Sequence, residues 1–476
     1  MTNNIARKFL FFDYWTYETI SGFTRIIHKP EKFFENPVFT ALNNQYEFNS
    51  CSYSTIAYDY DDSLFKMWYG TSNIYKNDSE AIKYLCYAES CDGFNWNRPN
   101  LNLIKGTNVV MDKDMFPMGT SVLIDKEDNQ MRYKLIMRPK NIPKIATCFS
   151  KDGIHWKKED IRVVINSDSD CKINLFKSCL SNKYYALFRN IKGQRKTYVS
   201  SSHDFISWDE PKLILEPDIE FGCQSQLYGT QATSYGNYVI GLSPIYNTDE
   251  SDMNWAKMEG TMDIGIAVSK GEYSWKWLEP SSRFISLDDV KNPLCKMIHP
   301  LTSLIYRKNQ ILIYYSASDF SHGNTHLIEK YPQYINVAGI RPDGFVSIDA
   351  NEKGFLRTRP FSIHIPEIFI NADCSNGTLS VRICDAYTNI PIKGYDFSDC
   401  VPISTDSIKH KVIWIGTDKE SITKRPIRIE IECFDAKIYS LFIPNGNDSD
   451  NYWIFDEINC VNPIKDVSDN DYFMRM

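Results

Sequence analysis

The sequence predicts an all-β protein in which a five-bladed β-propeller is followed by a small β-sandwich domain. Three features predict this fold: a turn motif that recurs along the first 345 of the 476 residues, strand-like runs between its copies, and almost no helical periodicity. Aromatic residues make up 14% of the chain, a content that suits β-sheet and also a sugar-binding surface.

The recurring motif reads Ser-x-Asp-Gly-x-x-Trp, and its copies become less complete along the chain. They occupy residues 87–96, 148–156, 200–208, 268–275 and 341–345. The motif predicts a tight turn in which Asp binds the local backbone, Gly takes a positive φ and Trp packs back on the sheet. We therefore expect Asp92, Asp152 and Asp204 to be structural turn residues rather than catalytic ones.

Strand-like runs rich in β-branched and aromatic residues fill the intervals between the motif copies. Each interval holds about four such runs, and four strands in each of five repeats is the pattern of a propeller. A large jelly roll or a stack of sandwiches is the alternative architecture, but neither has a reason to repeat this motif.

The pattern of strand-like segments changes near residue 360, which predicts a domain boundary. We expect residues 1–355 to form the propeller and residues 356–445, with about seven short alternating strands, to form the sandwich. The alternation is clean in 379–384, 427–432 and 438–443. Residues 446–476 are polar and acidic and are expected to form a C-terminal tail.

Charge and hydropathy exclude several classes of partner. The formal net charge is −7, so the chain lacks the excess of basic residues that is typical of nucleic-acid-binding proteins. The apolar stretch 9–12 is too short for a signal peptide, and no run approaches the ~18 apolar residues of a membrane span. These features predict a cytoplasmic protein without a membrane partner. The 13 cysteines lack the spacing of a metal site, so no metal is expected. No cofactor is expected either, and the oligomeric state stays open.

Several segments resemble a bacterial family of uncharacterised glycoside-hydrolase-like proteins, related to the invertase/levanase and arabinanase propellers. The resemblance covers about residues 9–443 and is carried by the turn motifs together with 64–69, 343–350, 371–382, 392–400 and 434–442. It implies a five-bladed propeller with a C-terminal sandwich, and an enzyme that acts on an oligosaccharide or glycoconjugate. The reaction is implied less directly than the fold, since fold does not determine function.

Cleavage of a glycosidic bond by such a propeller needs two carboxyl groups, one as acid and one as nucleophile or base. The innermost strand of each blade points its side chains toward a shared axis, so acids at the start of these strands are the candidates. They are Glu47, Asp114 (or Asp112), Asp170 and Asp263, and the resemblance places Asp170 first because relatives carry an acid there. For each acid, a solvated turn carboxylate is the alternative interpretation.

Five further residues are candidates for substrate binding: Gln226, Tyr228, His299, Arg138 and Arg189. The two arginines suit an acidic sugar through bidentate pairing, unless they are solvated rim residues. Tyr228 suits stacking on a sugar ring or core packing, and His299 suits binding of a sugar hydroxyl or capping of a strand. Relatives favour Glu where this chain has Gln226, and an amide cannot act as a general acid or base.

The leading functional hypothesis is a glycosidase with a carboxylate pair in the propeller funnel. One alternative is a non-catalytic carbohydrate-binding protein, which Gln226 favours. Another is a glycosyl-transferring enzyme, a phosphorylase or a glycosyltransferase. That alternative predicts a basic pocket for phosphate or nucleotide, formed by Lys172, Arg138 and Arg189.

Overall fold

The computed structural model describes residues 7–14, 16–73, 81–140, 142, 144–169, 172–190, 193–222, 224–248, 259–290, 292–307, 309–415, 419–423 and 425–444. These residues form strands, turns and short 3-10 helices, which confirms the predicted all-β class. The 3-10 helices are Lys158–Asp160, Ile219–Phe221, Leu287–Asp289, His322–Glu329, Phe397–Asp399 and Lys419–Ile422. In this part of the chain no helix has both the length and the apolar character needed to cross a membrane.

The chain divides into two compact units that differ from the predicted domains. One comprises Pro30–Arg307 with Ile311–Gly339, and the other comprises the described residues of Met1–Lys29, Lys308–Gln310 and Ile340–Phe455. The predicted division at residue 355 therefore does not match this partition, because the first 29 residues group with the C-terminal unit. The predicted tail 446–476 lies outside the described residues.

The N-terminal strands are divided between these two units. They are β1 Arg7–Leu10, β2 Tyr17–Ser21, β3 Thr24–Ile27, β4 Glu31–Lys32 and β5 Phe39–Thr40. The first three join the C-terminal unit, whereas β4 and β5 belong to the unit of Pro30–Arg307 with Ile311–Gly339.

Three four-stranded antiparallel sheets follow in chain order, and we call them blades 1 to 3. Blade 1 comprises β6 Ser52–Asp59, β7 Leu64–Ser72, β8 Lys83–Ser90 and β9 Val109–Met111. Blade 2 comprises β10 Met118–Ile124, β11 Tyr133–Arg138, β12 Ile145–Ser150 and β13 Arg162–Ile165. Blade 3 comprises β14 Asn174–Lys177, β15 Tyr184–Arg189, β16 Thr197–Ser202 and β17 Lys212–Leu215.

Blades 4 and 5 share one sheet, since a single parallel bridge joins Met262 to Met297. Blade 4 comprises β18 Gln226–Leu227, β19 Gln231–Tyr235, β20 Tyr238–Asn247, β21 Thr261–Ser269 and β22 Trp275–Trp277. Blade 5 comprises β23 Met297–Arg307, β24 Gln310–Ser318 and β25 Tyr334–Ile340. The strands β4 and β5 pair with β25, so an N-terminal segment completes the last blade.

The innermost strands of the five blades form a closed ring. Each of β6, β10, β14, β19 and β23 contacts the next, and β23 contacts β6. Side chains bond neighbouring inner strands, as where Thr55 Oγ1 accepts from Val122 N at 3.0 Å and Ser121 Oγ from Leu175 N at 3.1 Å. Five blades around a closed ring of inner strands, two of them joined in one sheet, are the arrangement of a five-bladed β-propeller.

The turn motifs have the predicted structural role. Asp92 Oδ1 accepts from Phe94 N and Asn95 N, both at 2.7 Å, and Asp152 and Asp204 bind their turns in the same way. The glycine carbonyl of a turn also bonds a neighbouring blade: Trp68 Nε1 donates to Gly153 O at 2.6 Å, and Tyr314 OH to Gly93 O at 2.9 Å. The motif therefore closes its turn, and in the copies of Gly93 and Gly153 it also bonds the adjacent blade.

A substitution at Gly153 tests this connection. Gly153 has φ 75°, and an added Cβ would lie 2.7 Å from both Trp68 and Tyr133. We expect Gly153→Ala to lower the free energy of unfolding by about 2–4 kcal/mol, through overpacking together with backbone strain. Gly106→Ala is the matched control, since Gly106 has the same φ and nothing within 4 Å of its Cβ position. Urea unfolding should show a loss of only about 1–2 kcal/mol for this control. Equal losses would contradict the packing argument.

The second unit is a nine-stranded sheet that combines the N-terminal strands β1 to β3 with strands from residues 346–443. Its later strands are β26 Val346–Thr358, β27 Phe361–Ser362, β28 Phe369–Asp373, β29 Thr378–Asp385, β30 Asp406–Lys411 and β31 Pro426–Ile443. The 18-residue β31 pairs with β1, β26, β27, β28 and β29, while β2 and β3 pair with β26. A second all-β unit is thus present, and its organisation as two packed layers stays a prediction.

Candidate active site

The entries of the inner strands depart from regular β geometry in four blades. Tyr53 and Lys172 have left-handed φ values of 52° and 59°, and the glycines Gly119 and Gly229 have φ 60° and 125°. The pairing register shifts between Ser52 and Thr55 in blade 1 and between Met118 and Ser121 in blade 2. Bulges of this kind redirect side chains and are frequent beside active sites. They locate the candidate site at the start of the inner strands.

Tyr228 lies among imidazole rings contributed by blade 5. Its ring centroid is 5.5 Å from that of His299 and 5.3 Å from that of His322. Tyr228 OH is 3.1 Å from His322 Nε2, and Tyr53 of blade 1 approaches His299 with ring centroids 6.5 Å apart. Three blades therefore meet around two aromatic rings and two imidazoles.

Three cationic side chains are buried in this region, and two of them lie over the Tyr228 ring. The guanidinium of Arg189 lies 4.7 Å from the Tyr228 ring centroid, and that of Arg195 lies 5.4 Å from it. Lys172 and Arg189 are each 2% exposed and Arg195 is 4% exposed. We call the set of Tyr53, Lys172, Arg189, Arg195, Gln226, Tyr228, His299 and His322 the central site.

His299 is neutral in this environment. Burial lowers its pKa well below 6.5, and the charges of Lys172 and His322 lower it further. Its Nδ1 is buried and has no hydrogen-bond partner among the described residues. A neutral imidazole in this position can donate or accept one hydrogen bond from a ligand, without adding charge to the cations.

Of the five predicted binding residues, the structure brings four together: Arg189, Gln226, Tyr228 and His299. The fifth, Arg138, donates to Met118 Sδ at 3.4 Å, and Met118 packs against the apolar cluster that contains Tyr228. Arg138 therefore lies at the margin of the central site. Their roles in binding a substrate stay predictions.

Two of the predicted catalytic acids lie in settings that do not favour catalysis. Glu47 is 1% exposed and accepts from Arg98 Nε at 2.8 Å, from Leu42 N at 2.8 Å and from Tyr69 OH at 3.0 Å. Its oxygens are thus engaged in holding the turn before β6. Asp114 is exposed, in a turn where Asp112 Oδ1 accepts from Asp114 N at 2.9 Å.

The other two predicted acids are Asp263 and Asp170. Asp263 follows Met262 in β21, so its side chain lies on the opposite face of the strand from the apolar cluster that contains Met262 and Tyr228. Burial raises the pKa of Asp263, although a hydrogen bond from Leu287 N and the charge of Arg283 act against this. Asp170 lies outside the described residues. The catalytic roles of all four acids stay predictions.

Arg195 and His322 belong to the central site and were not among the predicted site residues. Arg195 stands in the polar stretch 193–196, where a basic residue reads as a solvated loop charge. His322 opens a 3-10 helix between two strands of blade 5. Neither has a local motif, so only the closure of the propeller brings them to Tyr228.

The donor set of the central site suits an anion better than a metal ion. Lysine and arginine carry only donors, and they are the usual ligands of phosphate and carboxylate groups. Within the described ranges, no group of three or more His, Cys, Asp or Glu is placed to hold a metal.

Comparison with known proteins gives a likeness of fold only. No family model and no curated protein matches the chain. A glycosyl hydrolase from Bacteroides ovatus has 13% identity and a TM-score of 0.43, over 67% of this chain and 94% of that chain. A β-1,2-mannobiose phosphorylase from Listeria innocua has 12% identity and a TM-score of 0.43, over 66% and 97%. An exo-β-1,3-galactanase from Phanerochaete chrysosporium has 10% identity and a TM-score of 0.37, over 88% and 100%. Each is named as a glycan-processing enzyme, and values this low carry no argument about the reaction of this chain.

Proposed function

We propose that the propeller is a carbohydrate-active enzyme that transfers a glycosyl group between a saccharide and phosphate, with the phosphate bound in the central site. One observation carries this proposal: Arg189 and Arg195 are buried over the Tyr228 ring, and the buried Lys172 lies beside Gly229, the next residue in the chain. A dry, cation-rich site binds a phosphate dianion through short, charge-assisted hydrogen bonds. The resemblance of the sequence to glycoside-hydrolase-like propellers supports a saccharide as the other substrate.

Phosphorolysis needs fewer carboxyl groups than hydrolysis. Hydrolysis uses two, one to protonate the leaving oxygen and one to attack or to activate water. In phosphorolysis a phosphate oxygen attacks the anomeric carbon, the glycosidic C–O bond breaks, and one carboxylic acid gives its proton to the leaving oxygen. Glu47, Asp114 and Asp263 have other settings, so the sequence leaves Asp170, two residues before Lys172, as the candidate acid.

Five residues of the central site have distinct parts in this scheme. Lys172 and Arg189 attract and hold the phosphate, and their burial strengthens the interaction by excluding water. Tyr228 OH and the neutral His299 supply directional hydrogen bonds to phosphate or to a sugar hydroxyl. The aromatic rings of Tyr53 and Tyr228 provide apolar faces for the sugar.

A non-catalytic glycan-binding protein is the second candidate, and Gln226 favours it. Its amide occupies the start of an inner strand, where relatives are expected to carry a carboxylic acid, and it accepts a hydrogen bond from Arg195. Such a protein would bind a saccharide in the same site without turnover.

The test incubates the full chain with a panel of aldose 1-phosphates and free sugar acceptors and measures inorganic phosphate. We expect phosphate release that requires an acceptor, and its loss in Asp170→Asn while calorimetry still detects phosphate binding. Asp168→Asn is the matched control and should retain activity, because Asp168 pairs with Lys144 at the surface, where its side chain is 51% exposed. Cleavage of oligosaccharides at the same rate without phosphate would contradict the proposal. Saccharide binding without turnover in any pair would favour the second candidate.

A further inference from the structure

The amide of Gln226 is held in one orientation. Arg195 Nη1 donates to Gln226 Oε1 at 2.6 Å, and both side chains are buried. A guanidinium has donors and no acceptor, so the amide oxygen must face it and the amide nitrogen must point away. Gln226 Nε2 has no hydrogen bond to any other described residue. This nitrogen is not among the fully buried polar atoms that lack a partner, so an acceptor of a ligand can reach it.

Strand alternation places Gln226 on the ligand side of β18. Leu227 packs into an apolar cluster with Phe221 and Ile245, whereas Tyr228 belongs to the cluster of the central site. Side chains two residues apart share a face of an extended strand, so Gln226 lies on the same face as Tyr228. The guanidinium of Arg195 contacts both, since it also lies over the Tyr228 ring.

We propose that Gln226 is a specificity-determining residue that selects a negatively charged, acceptor-rich ligand group. This inference rests on the proposed function and names what decides its ligand class. The oriented amide adds an N–H donor and no charge beside Lys172, Arg189 and Arg195. A glutamate at this position would have the same length, would face Arg195 with a carboxylate, and would replace the donor with a negative charge. It would therefore repel phosphate and favour the hydroxyl donors of a neutral sugar.

Calorimetric titration of inorganic phosphate into the full chain tests this inference. Gln226→Glu should weaken phosphate binding by at least about tenfold, because like charges meet in a buried site. Gln226→Met has a similar length without donor or charge, and it should fall between the wild type and Gln226→Glu. Gln130→Glu is the matched control: Gln130 is exposed in the turn between β10 and β11, so the change adds the same charge outside the site. Its phosphate affinity should stay within about twofold of the wild type.

The melting temperatures of the variants separate selectivity from a structural role. The inference requires weaker phosphate binding by Gln226→Glu at an unchanged melting temperature, and wild-type affinity in that variant would overturn it. The inference would also be overturned if Gln226→Glu and Gln226→Met lost phosphate affinity to the same extent and both had lower melting temperatures to match. Should Gln226→Glu fail to fold, Gln226→Met decides: weaker binding by the folded variant supports the inference, and wild-type binding refutes it. A wild-type protein that does not bind phosphate would instead refute the anion site of the proposed function.

Discussion

Replacement of Lys172 by methionine is expected to weaken phosphate binding by at least about 30-fold, since removing one partner of a buried charged hydrogen bond costs about 2–5 kcal/mol. Methionine keeps the length and apolar stem of the lysine. It therefore keeps the packing against Gly229, whose Cβ position lies 3.2 Å from Lys172 Cβ and Cγ. The change thus removes the charge with little change in shape. Calorimetric titration of inorganic phosphate measures the effect.

The control for Lys172→Met is Lys196→Met. Lys196 stands next to Arg195 in the chain but pairs with Glu216 at the surface, where its side chain is 28% exposed. Surface ion pairs contribute little, so its phosphate affinity should stay within about threefold of the wild type. If both variants bind phosphate alike, the anion does not bind in the central site.

Replacement of Asp59 by asparagine is expected to lower the free energy of unfolding by about 3–5 kcal/mol, because it leaves buried cations without their counter-charge. Asp59 is fully buried, with Lys66 Nζ at 2.9 Å and Arg132 Nη2 at 2.7 Å. Tyr133 of blade 2 donates a further hydrogen bond to it, so the network joins two blades. The exposed Asp61 also pairs with Arg132, and Asp61→Asn is the control, with an expected loss below about 1 kcal/mol.

The same network predicts a pH dependence of stability. Burial by itself raises the pKa of Asp59, but hydrogen bonds from Tyr133 and Lys66 and the charges of Lys66 and Arg132 outweigh it, lowering the pKa to about 2. A carboxyl group with a lowered pKa in the folded state stabilises the protein fully above its ordinary pKa of 3.8. This contribution is lost as the pH falls toward 2. Urea unfolding of the wild type and Asp59→Asn should therefore converge at low pH. A constant difference would contradict the assignment.

Local interactions explain why much of the fold could be predicted from the sequence. The contacts of Asp92 and Asp152 lie within three residues along the chain, so the turn motif and its repeat are visible in the sequence. The pairing of β1 with β31 joins residues more than 400 positions apart, and no local pattern reveals it. The unit boundaries differ from the prediction for this reason.

The same distinction applies to the candidate site. Gln226, Tyr228 and His299 could be predicted because each stands at the start of an inner strand, where a propeller directs side chains inward. Glu47 also stands close to the start of an inner strand, but Arg98, 51 residues later, binds its carboxylate. Arg195 reaches Tyr228 from the loop between β15 and β16, which only the closed ring of blades brings near. The sequence predicted Lys172 and Arg189 as parts of a basic pocket, whereas the contribution of Arg195 depends on tertiary packing.

The binding of one anion in the central site is the claim on which the functional account depends. A crystal of the full chain soaked in selenate, an analogue of phosphate with an anomalous signal, tests it directly. The account predicts an anomalous peak within hydrogen-bond distance of Lys172 Nζ and the Arg189 guanidinium, beside Tyr228 and His299. Peaks confined to surface lysines, with the central site empty, would contradict it.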